Sequence, residues 1–293
     1  MSASPAPLLA GDFAYLVRLV RERSGIVIGP EKQYLVETRL SPLLRAKGIA
    51  DYATLAARLR AEPTGPLPRA VVEAMTTNET FFFRDQHPFA ALEQQVLPKL
   101  IAARAALRTL SIWCAASSSG QEPYSIAMIL RDRFAGALAG WKVSITATDI
   151  SAEMIARAKA GIYSPIEVGR GLPAPLLARW FLREGADWRI RDDLRAMVAF
   201  RELNLLDPWP IAQGVDVLFC RNVLIYFDDD TKRRLLGRMH DLLRPDGWLF
   251  LGGAETTLGL DDRFARTQLD KAGAFQRLAP GERQGSGRFA KVE

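Results

Sequence analysis

Residues 110–125, Leu-Ser-Ile-Trp-Cys-Ala-Ala-Ser-Ser-Ser-Gly-Gln-Glu-Pro-Tyr-Ser, constrain this chain more than any other stretch. The apolar run over 110–114 predicts a short buried strand. Small residues through Gly120 follow. Glu122-Pro123 then opens an amphipathic segment, with proline where a helix accepts it best, at its first position. A strand, a small-residue turn and a helix start, in that order, build the crevice in which α/β sheets hold nucleotide-sized ligands. Small side chains let a ligand approach the backbone, and the helix start presents N–H groups. The run has neither G-x-G-x-x-G nor G-K-S/T, so the usual phosphate cradles are absent. A nucleoside without phosphates fits better, and S-adenosylmethionine is the common one.

From residue 110 onward, strand-like segments at 109–114, 142–148, 197–203, 215–220 and 247–252 alternate with helical ones at 122–134, 151–160 and 229–243. This alternation predicts an α/β fold with a doubly wound, mostly parallel sheet. The run at 242–248 reads as a helix stop, a turn and then a strand, and 272–278 as a last antiparallel edge strand. Residues 161–196 break the alternation. Their Tyr163-Ser164-Pro165 and Pro173-Ala174-Pro175 punctuation, short helix near 176–181 and possible hairpin around 189–195 predict a small insertion. Ahead of the sheet, residues 12–75 carry helical periodicity, with Phe13, Leu16, Val17, Leu19 and Val20 on one face and no strand signal. The resulting division is a helical domain and linker over 1–85, a ligand-binding domain over 86–279 with its insertion at 161–196, and a disordered polar tail over 280–293.

Bulk properties exclude several classes. The chain has 293 residues and a net charge of +6, which permits an acidic partner without naming one. Its arginines are spread rather than clustered with aromatics, against a nucleic-acid groove. Cys114 and Cys220 end apolar runs and read as buried strand residues. With only His87 and His240 beside them they build neither a disulfide framework nor a metal site. The expected setting is cytoplasmic, since the N-terminus does not resemble a signal peptide and no segment approaches a membrane span.

Four segments are expected at one rim, the carboxyl ends of the strands. Asp149 ends the second strand, where an acidic side chain accepts hydrogen bonds from ribose hydroxyls; a helix N-cap is the equal alternative. Glu122 complements its helix dipole or pairs with a cationic ligand group. Arg221 and Asn222 follow the strand at 215–220, and Asn204 and Leu205 the one at 197–203. The polar run through Asn78 and Thr80 meets Phe81-Phe82-Phe83 and then Arg84. His87 and His240 are expected in helices away from the rim, so no hydrolase triad can be assembled.

Together these segments resemble the chemoreceptor protein-glutamate O-methyltransferases of the CheR type, over about residues 12–278. The motifs are Thr77-Asn78-Glu79-Thr80-Phe81-Phe82-Phe83-Arg84, the 113–125 run, Ala147-Thr148-Asp149-Ile150, Cys220-Arg221-Asn222-Val223-Leu224-Ile225-Tyr226-Phe227, and Leu243-Arg244-Pro245-Asp246-Gly247. The resemblance implies a Rossmann-like class I methyltransferase with S-adenosylmethionine as cofactor, an N-terminal all-helical domain and a small inserted β-subdomain. It implies a pocket lined by Asn78, Thr80, Arg84, Glu122, Asp149, Asn204, Leu205, Arg221 and Asn222, with Arg84 and Tyr226 near the methyl-transfer centre. The implied partner is the cytoplasmic helical bundle of methyl-accepting chemoreceptors, with recruitment to receptor arrays and no metal. Lys32, Arg39, Arg45 and Lys47 are candidate contacts, although ordinary solvated helix faces explain each as well. Two departures stand out. Gln121-Glu122 replaces the family's usual pair of glutamates. The loop at 182–189 is tighter than in members that tether to a peptide at the receptor's C-terminus, so engagement without that tether is expected. The competing readings are a methyltransferase of RNA or a small molecule, and a cofactor-binding regulator without turnover.

Overall fold

The computed structural model describes residues 7–269 and 272–278, so the tail at 280–293 lies outside the described residues. The chain divides into two compact units: residues 1–77 with 226–231, and residues 78–225 with 232–293.

The first unit contains helices α1 (Ala10–Ser24), α2 (Gln33–Ala46), α3 (Tyr52–Ala61) and α4 (Pro66–Met75). Apolar residues recur at helical spacing and are fully enclosed: Leu16 and Val20, Leu40 and Leu44, Leu55 and Leu59, Val71 and Met75. Asp51 caps α3 by accepting the Thr54 N–H at 2.7 Å. Arg39, a candidate receptor contact on sequence, is engaged inside its own unit. Its guanidinium donates to the Met75 carbonyl at 2.5 Å, the Thr76 carbonyl at 3.0 Å and Thr77 Oγ1 at 2.7 Å. Those carbonyls end α4, and satisfying them is what the arginine does here.

The chain returns to this unit at Tyr226–Thr231, where the Tyr226 carbonyl accepts the Val27 N–H at 2.9 Å. Asp228 accepts the Thr231 N–H at 2.9 Å and pairs with Arg21 at 2.7 Å. Its backbone and side-chain bonds to Thr231, then the bond to Arg21, hold its pKa down at about 2. Because that folded value lies below the ordinary carboxylate value of 3.8, Asp228 stabilises the fold above about pH 4, and the contribution fades as pH falls toward 2. Asp228→Ala is expected to cost about 1 kcal/mol at neutral pH, the usual worth of such a cap. Urea unfolding at a series of pH values should show the difference from wild type shrinking below pH 4. A difference that is constant with pH would assign the effect to packing instead.

The second unit opens with α5 (His87–Ala91), a π-helical turn at Leu92–Val96 and α6 (Leu97–Ala103). Next come β1 (Thr109–Ala115), α7 (Gln121–Arg133), β2 (Lys142–Asp149) and α8 (Ala152–Ala160). The insertion contributes β3 (Ile162–Tyr163), α9 (Pro165–Gly169), α10 (Ala174–Trp180), β4 (Phe181–Glu184), β5 (Asp187–Ile190) and α11 (Asp192–Arg195). The sheet resumes with β6 (Val198–Glu202), β7 (Val215–Cys220), α12 (Asp229–Leu242), β8 (Leu243–Leu251), β9 (Phe264–Leu269) and β10 (Ala272–Arg277).

The main sheet has seven strands in the order β6-β2-β1-β7-β8-β10-β9. Strands β6 through β8 are parallel, and β10 runs antiparallel to both its neighbours. Every residue of β7 is buried, as a central parallel strand covered on both faces requires. The chain moves outward from β1 on one side and from β7 on the other, so the topological switch point lies between them. The insertion forms a separate antiparallel sheet, β3-β5-β4. Its hairpin turn is two residues long, with Glu184 paired to Asp187 and Gly185 at φ +61. The hairpin therefore lies earlier than the 189–195 region suggested, where β5 ends and α11 begins.

At the amino ends of the strands, Asp216 is almost fully buried, accepts Arg104 Nε at 2.8 Å and the Ser111 N–H at 2.8 Å, and forms an ion pair with Arg244, whose Nε lies 3.2 Å away. Arg104 also forks onto Asp246. This cluster explains two departures from the sequence pattern. Strand β8 begins at Leu243 rather than 247, because Leu243 already pairs with Val215 before the chain bulges out through Arg244–Gly247 and rejoins at Trp248. Arg244-Pro245-Asp246-Gly247 is thus a bulge that supplies two of the cluster's charges, not a turn before the strand. At the other edge, β10 is interior and β9 is the edge strand, which the polar and charged residues of Arg266-Thr267-Gln268 concealed.

Candidate active site

The loop after β1 folds tightly. Ala116, Ser118 and Gly120 all have positive φ, at 58°, 49° and 97°. Gly120 caps α7 with no side-chain bond, and a Cβ there would sit 3.0 Å from that of Ala158 and 3.2 Å from the Tyr163 hydroxyl. Only glycine fits both that space and that φ. The loop is braced from four sides. The Thr148 carbonyl accepts the Ser117 N–H at 2.8 Å, and the Asn78 carbonyl accepts the Ser118 hydroxyl at 2.7 Å. The Ser119 carbonyl accepts the Tyr163 hydroxyl at 2.7 Å, and Gln121 Oε1 accepts the Ser119 hydroxyl at 2.9 Å. An amide oxygen at Gln121 thus serves as the acceptor in this bond.

Asp149 ends β2 and is buried. One of its oxygens accepts the Ser118 N–H at 2.7 Å and the other the Ser151 N–H at 2.9 Å. The N-cap alternative is set aside, because Ser151 caps α8 through the Met154 N–H. Asp149 instead ties the loop after β1 to the end of β2.

Across the switch point, Arg221 directly follows β7, with its side chain only 2% exposed. It donates to Glu122 Oε2 at 3.0 Å, Asp85 Oδ2 at 2.6 Å and the Arg84 carbonyl at 2.9 Å. Burial pushes the Glu122 carboxyl upward, opposed by the Arg221 charge beside it. Asp85 was missed on sequence. The signal was present, an acid directly after the arginine of the Phe-Phe-Phe-Arg run, but only the fold brings it to Arg221. The backbone there is forced, with Phe83, Asp85 and Gln86 at φ 52°, 68° and 48°. Phe82 is fully buried and Phe83 packs edge-on to Phe89, so two of the three phenylalanines anchor this turn in the core.

The turn also moves His87. Together with Asp85, Gly252 and Glu255 it lines a cavity of about 220 Å³ at the carboxyl end of β8, so it lies at the rim and not away from it. His240 packs edge-on against Phe264 on α12. Arg84 donates to the Glu79 carbonyl at 2.8 Å, and its guanidinium lies 5.7 Å from the Phe81 ring. Thr80 is half-buried in the same segment. Asn204 Oδ1 accepts the Leu206 N–H at 3.1 Å, and the carbonyl of buried Leu205 accepts Trp209 Nε1 and Arg238 Nη1. Asn222 has φ 58° and its buried Oδ1 has no protein partner, nor has the buried Ser117 hydroxyl. Tyr226 falls in the helical unit. Cys114 and Cys220 are buried in their strands, and burial pushes both thiols well up.

The arrangement fits a nucleoside-bearing cofactor. It offers a glycine-capped helix start, a buried carboxylate at the end of β2 and the buried oxygens of Asn222 and Ser117 without protein partners. Among the described residues no cluster of His, Cys, Asp or Glu is placed to hold a metal ion, and no helix is long and apolar enough to cross a membrane.

Comparison with known proteins agrees. Residues 11–76 match the family described as "CheR methyltransferase, all-alpha domain", and residues 78–272 match "CheR methyltransferase, SAM binding domain". Chemotaxis protein methyltransferase 1 of Pseudomonas aeruginosa is 44% identical over 260 residues, 88% of this chain and 94% of that protein. Chemotaxis protein methyltransferase Cher2 of Pseudomonas putida is 40% identical over 90% of this chain and 97% of its own. Its counterpart in Vibrio parahaemolyticus is 44% identical over 84% and 90%. With both domains matched in order, this chain belongs to the CheR methyltransferase family and is an S-adenosylmethionine-dependent methyltransferase of chemotaxis.

Proposed function

We propose that the enzyme esterifies glutamate side chains of chemoreceptors, and that the residues assigned from the resemblance hold the cofactor and align the carboxylate. The observation that carries this reading is the buried Arg221–Glu122 pair at the switch point, extended by half-exposed Asp85, together with the buried, unpartnered oxygens of Asn222 and Ser117.

When bound, the sulfonium of S-adenosylmethionine supplies an already activated methyl group. A glutamate carboxylate is ionised at neutral pH, so this chain needs no general base. Its work is alignment and exclusion of water. In this reading Asp149 takes the ribose hydroxyls and Glu122 faces the cationic end of the cofactor. Arg84 orients the incoming carboxylate by charge-assisted hydrogen bonds, and Tyr226, four residues after Asn222 in the chain, is the second residue that the family resemblance assigns to the transfer step. The working location is the cytoplasm at receptor arrays. The two-residue turn at Gly185 favours docking on the receptor bundle without a C-terminal tether.

The test incubates enzyme, radiolabelled S-adenosylmethionine and receptor-bearing membranes, with full-length receptors and with receptors lacking their C-terminal peptide. Label on a receptor-sized band, released as methanol by mild alkali and equal for both receptors, is expected. Arg84→Ala should lower turnover by roughly 100-fold or more, the scale for losing one preorganised charge contact. Alkali-stable label would overturn the carboxylate reading, dependence on the peptide would overturn untethered docking, and full turnover in Arg84→Ala would remove its orienting role.

A further inference from the structure

Glu255 is not among the residues assigned to the cofactor pocket, yet it bonds the backbone of Asn222, which is. It is half-buried just past β8, and its carboxylate is used almost wholly on backbone. Oε2 accepts the Asn222 N–H at 2.8 Å and the Gly252 N–H at 2.6 Å. Oε1 accepts the Val223 N–H at 2.9 Å and the Ile225 N–H at 3.3 Å. One side chain thereby gathers four donors from two strand ends. Three belong to the segment directly after Arg221, which has left the β-ladder and has no sheet partner for them.

The segment it holds is strained. Asn222 is a non-glycine residue in the left-handed region, at φ 58°. A Cβ on Gly252 would lie 2.7 Å from Asn222 Nδ2 and 2.9 Å from Asn222 N, so the two strand ends touch backbone to side chain. A conformation of this kind costs of order 1–3 kcal/mol and persists only where its surroundings over-determine it. The anion of Glu255 is that surrounding. It receives converging N–H dipoles as a bound anion would in a backbone nest.

We infer that Glu255 is a positioning residue for methyl transfer: it clamps the 222–225 turn so that the Asn222 amide is presented to the cofactor. This rests on the assignment of Asn222 to the cofactor pocket. Glu255 acts through Asn222 and touches no reacting atom. A glutamine at 255 would turn an NH2 toward backbone donors, removing two acceptor bonds and the charge together. An aspartate would keep the charge but fall one methylene short.

The experiment measures S-adenosylhomocysteine affinity by calorimetry, well below the melting temperature, for wild type, Glu255→Gln, Glu255→Asp, Asn222→Ala and the Glu255→Gln/Asn222→Ala double variant. Glu255→Gln should weaken binding roughly 10- to 100-fold, the scale of lost charged hydrogen bonds, with Glu255→Asp between it and wild type. In the double variant the Asn222 substitution should add little to the loss, because the clamp acts through that residue. Turnover at saturating cofactor should fall less than kcat/KM for the cofactor. A lowered melting temperature with unchanged affinity in Glu255→Gln would make Glu255 merely structural and overturn the inference, as would simple additivity in the double variant. Unchanged affinity in Asn222→Ala alone would instead overturn the pocket assignment, and the inference with it.

Discussion

Arg221→Met removes the guanidinium that Glu122 and Asp85 share, and the enzyme is expected to lose both cofactor affinity and a large part of its stability. Arg221 donates to two carboxylates and one carbonyl, and Glu122, one of those carboxylates, is buried. Removing one partner of a buried pair costs about 3–5 kcal/mol, because the remaining charge is left in a medium that solvates it poorly. For a domain of this size that is a fall of roughly 6–20 °C in melting temperature. Glu122 would answer by taking a proton, since burial already pushes its carboxyl up and Arg221 is the chief opposing charge. The melting curve of Arg221→Met should therefore recover partly as pH is lowered, an acid rescue absent from wild type. Calorimetry should show cofactor binding at least about 100-fold weaker. An Arg221→Met protein with wild-type affinity would refute the assignment of the pocket to this pair.

The second large effect lies at the opposite ends of the same strands. Arg104→Met keeps the aliphatic stem but withdraws the guanidinium from Asp216 and Asp246. Asp216 is almost fully buried and keeps only Arg244 and the Ser111 N–H. A loss of about 3 kcal/mol is expected. Asp216 lies near the start of β7 and Arg221 just past its end, five residues on and roughly 16 Å away at strand rise. Cofactor affinity measured well below the melting temperature should accordingly match wild type. Loss of affinity in step with loss of stability would mean that the sheet transmits damage from one end to the other.

These two clusters differ in how far the sequence revealed them. The rim was legible because each of its parts follows a strand in order: small residues after β1, Asp149 after β2, Arg221-Asn222 after β7. Parallel topology then brings the carboxyl ends together. The lower cluster was not legible. Arg104 lies in a helical run, Asp216 interrupts an apolar strand, and Asp246 sits in a segment that looks like a turn. Nothing in their spacing announces that three elements meet. The same holds for His87 and Asp85, whose positions depend on positive φ values in a Phe-Arg-Asp-Gln run with no glycine to signal them. Edge strand β9 was hidden for another reason: the polar stretch Arg266-Thr267-Gln268 breaks the apolar run by which the other strands are recognised. Arg39 shows the converse case, an exposed-looking basic residue used up on the carbonyls that end α4.

The return of residues 226–231 to the helical unit has a consequence for how the protein is made. The helices of this unit are synthesised before residues 226–231, and domains ordinarily fold in order of synthesis. This one cannot finish early. The acceptor for the Val27 N–H and the carboxylate for Arg21 arrive about 150 residues later, after most of the sheet has been synthesised. The helical unit must wait, incompletely closed, until the segment that follows Asn222 leaves the exit tunnel. Its final closure thus becomes a late event in the life of the nascent chain.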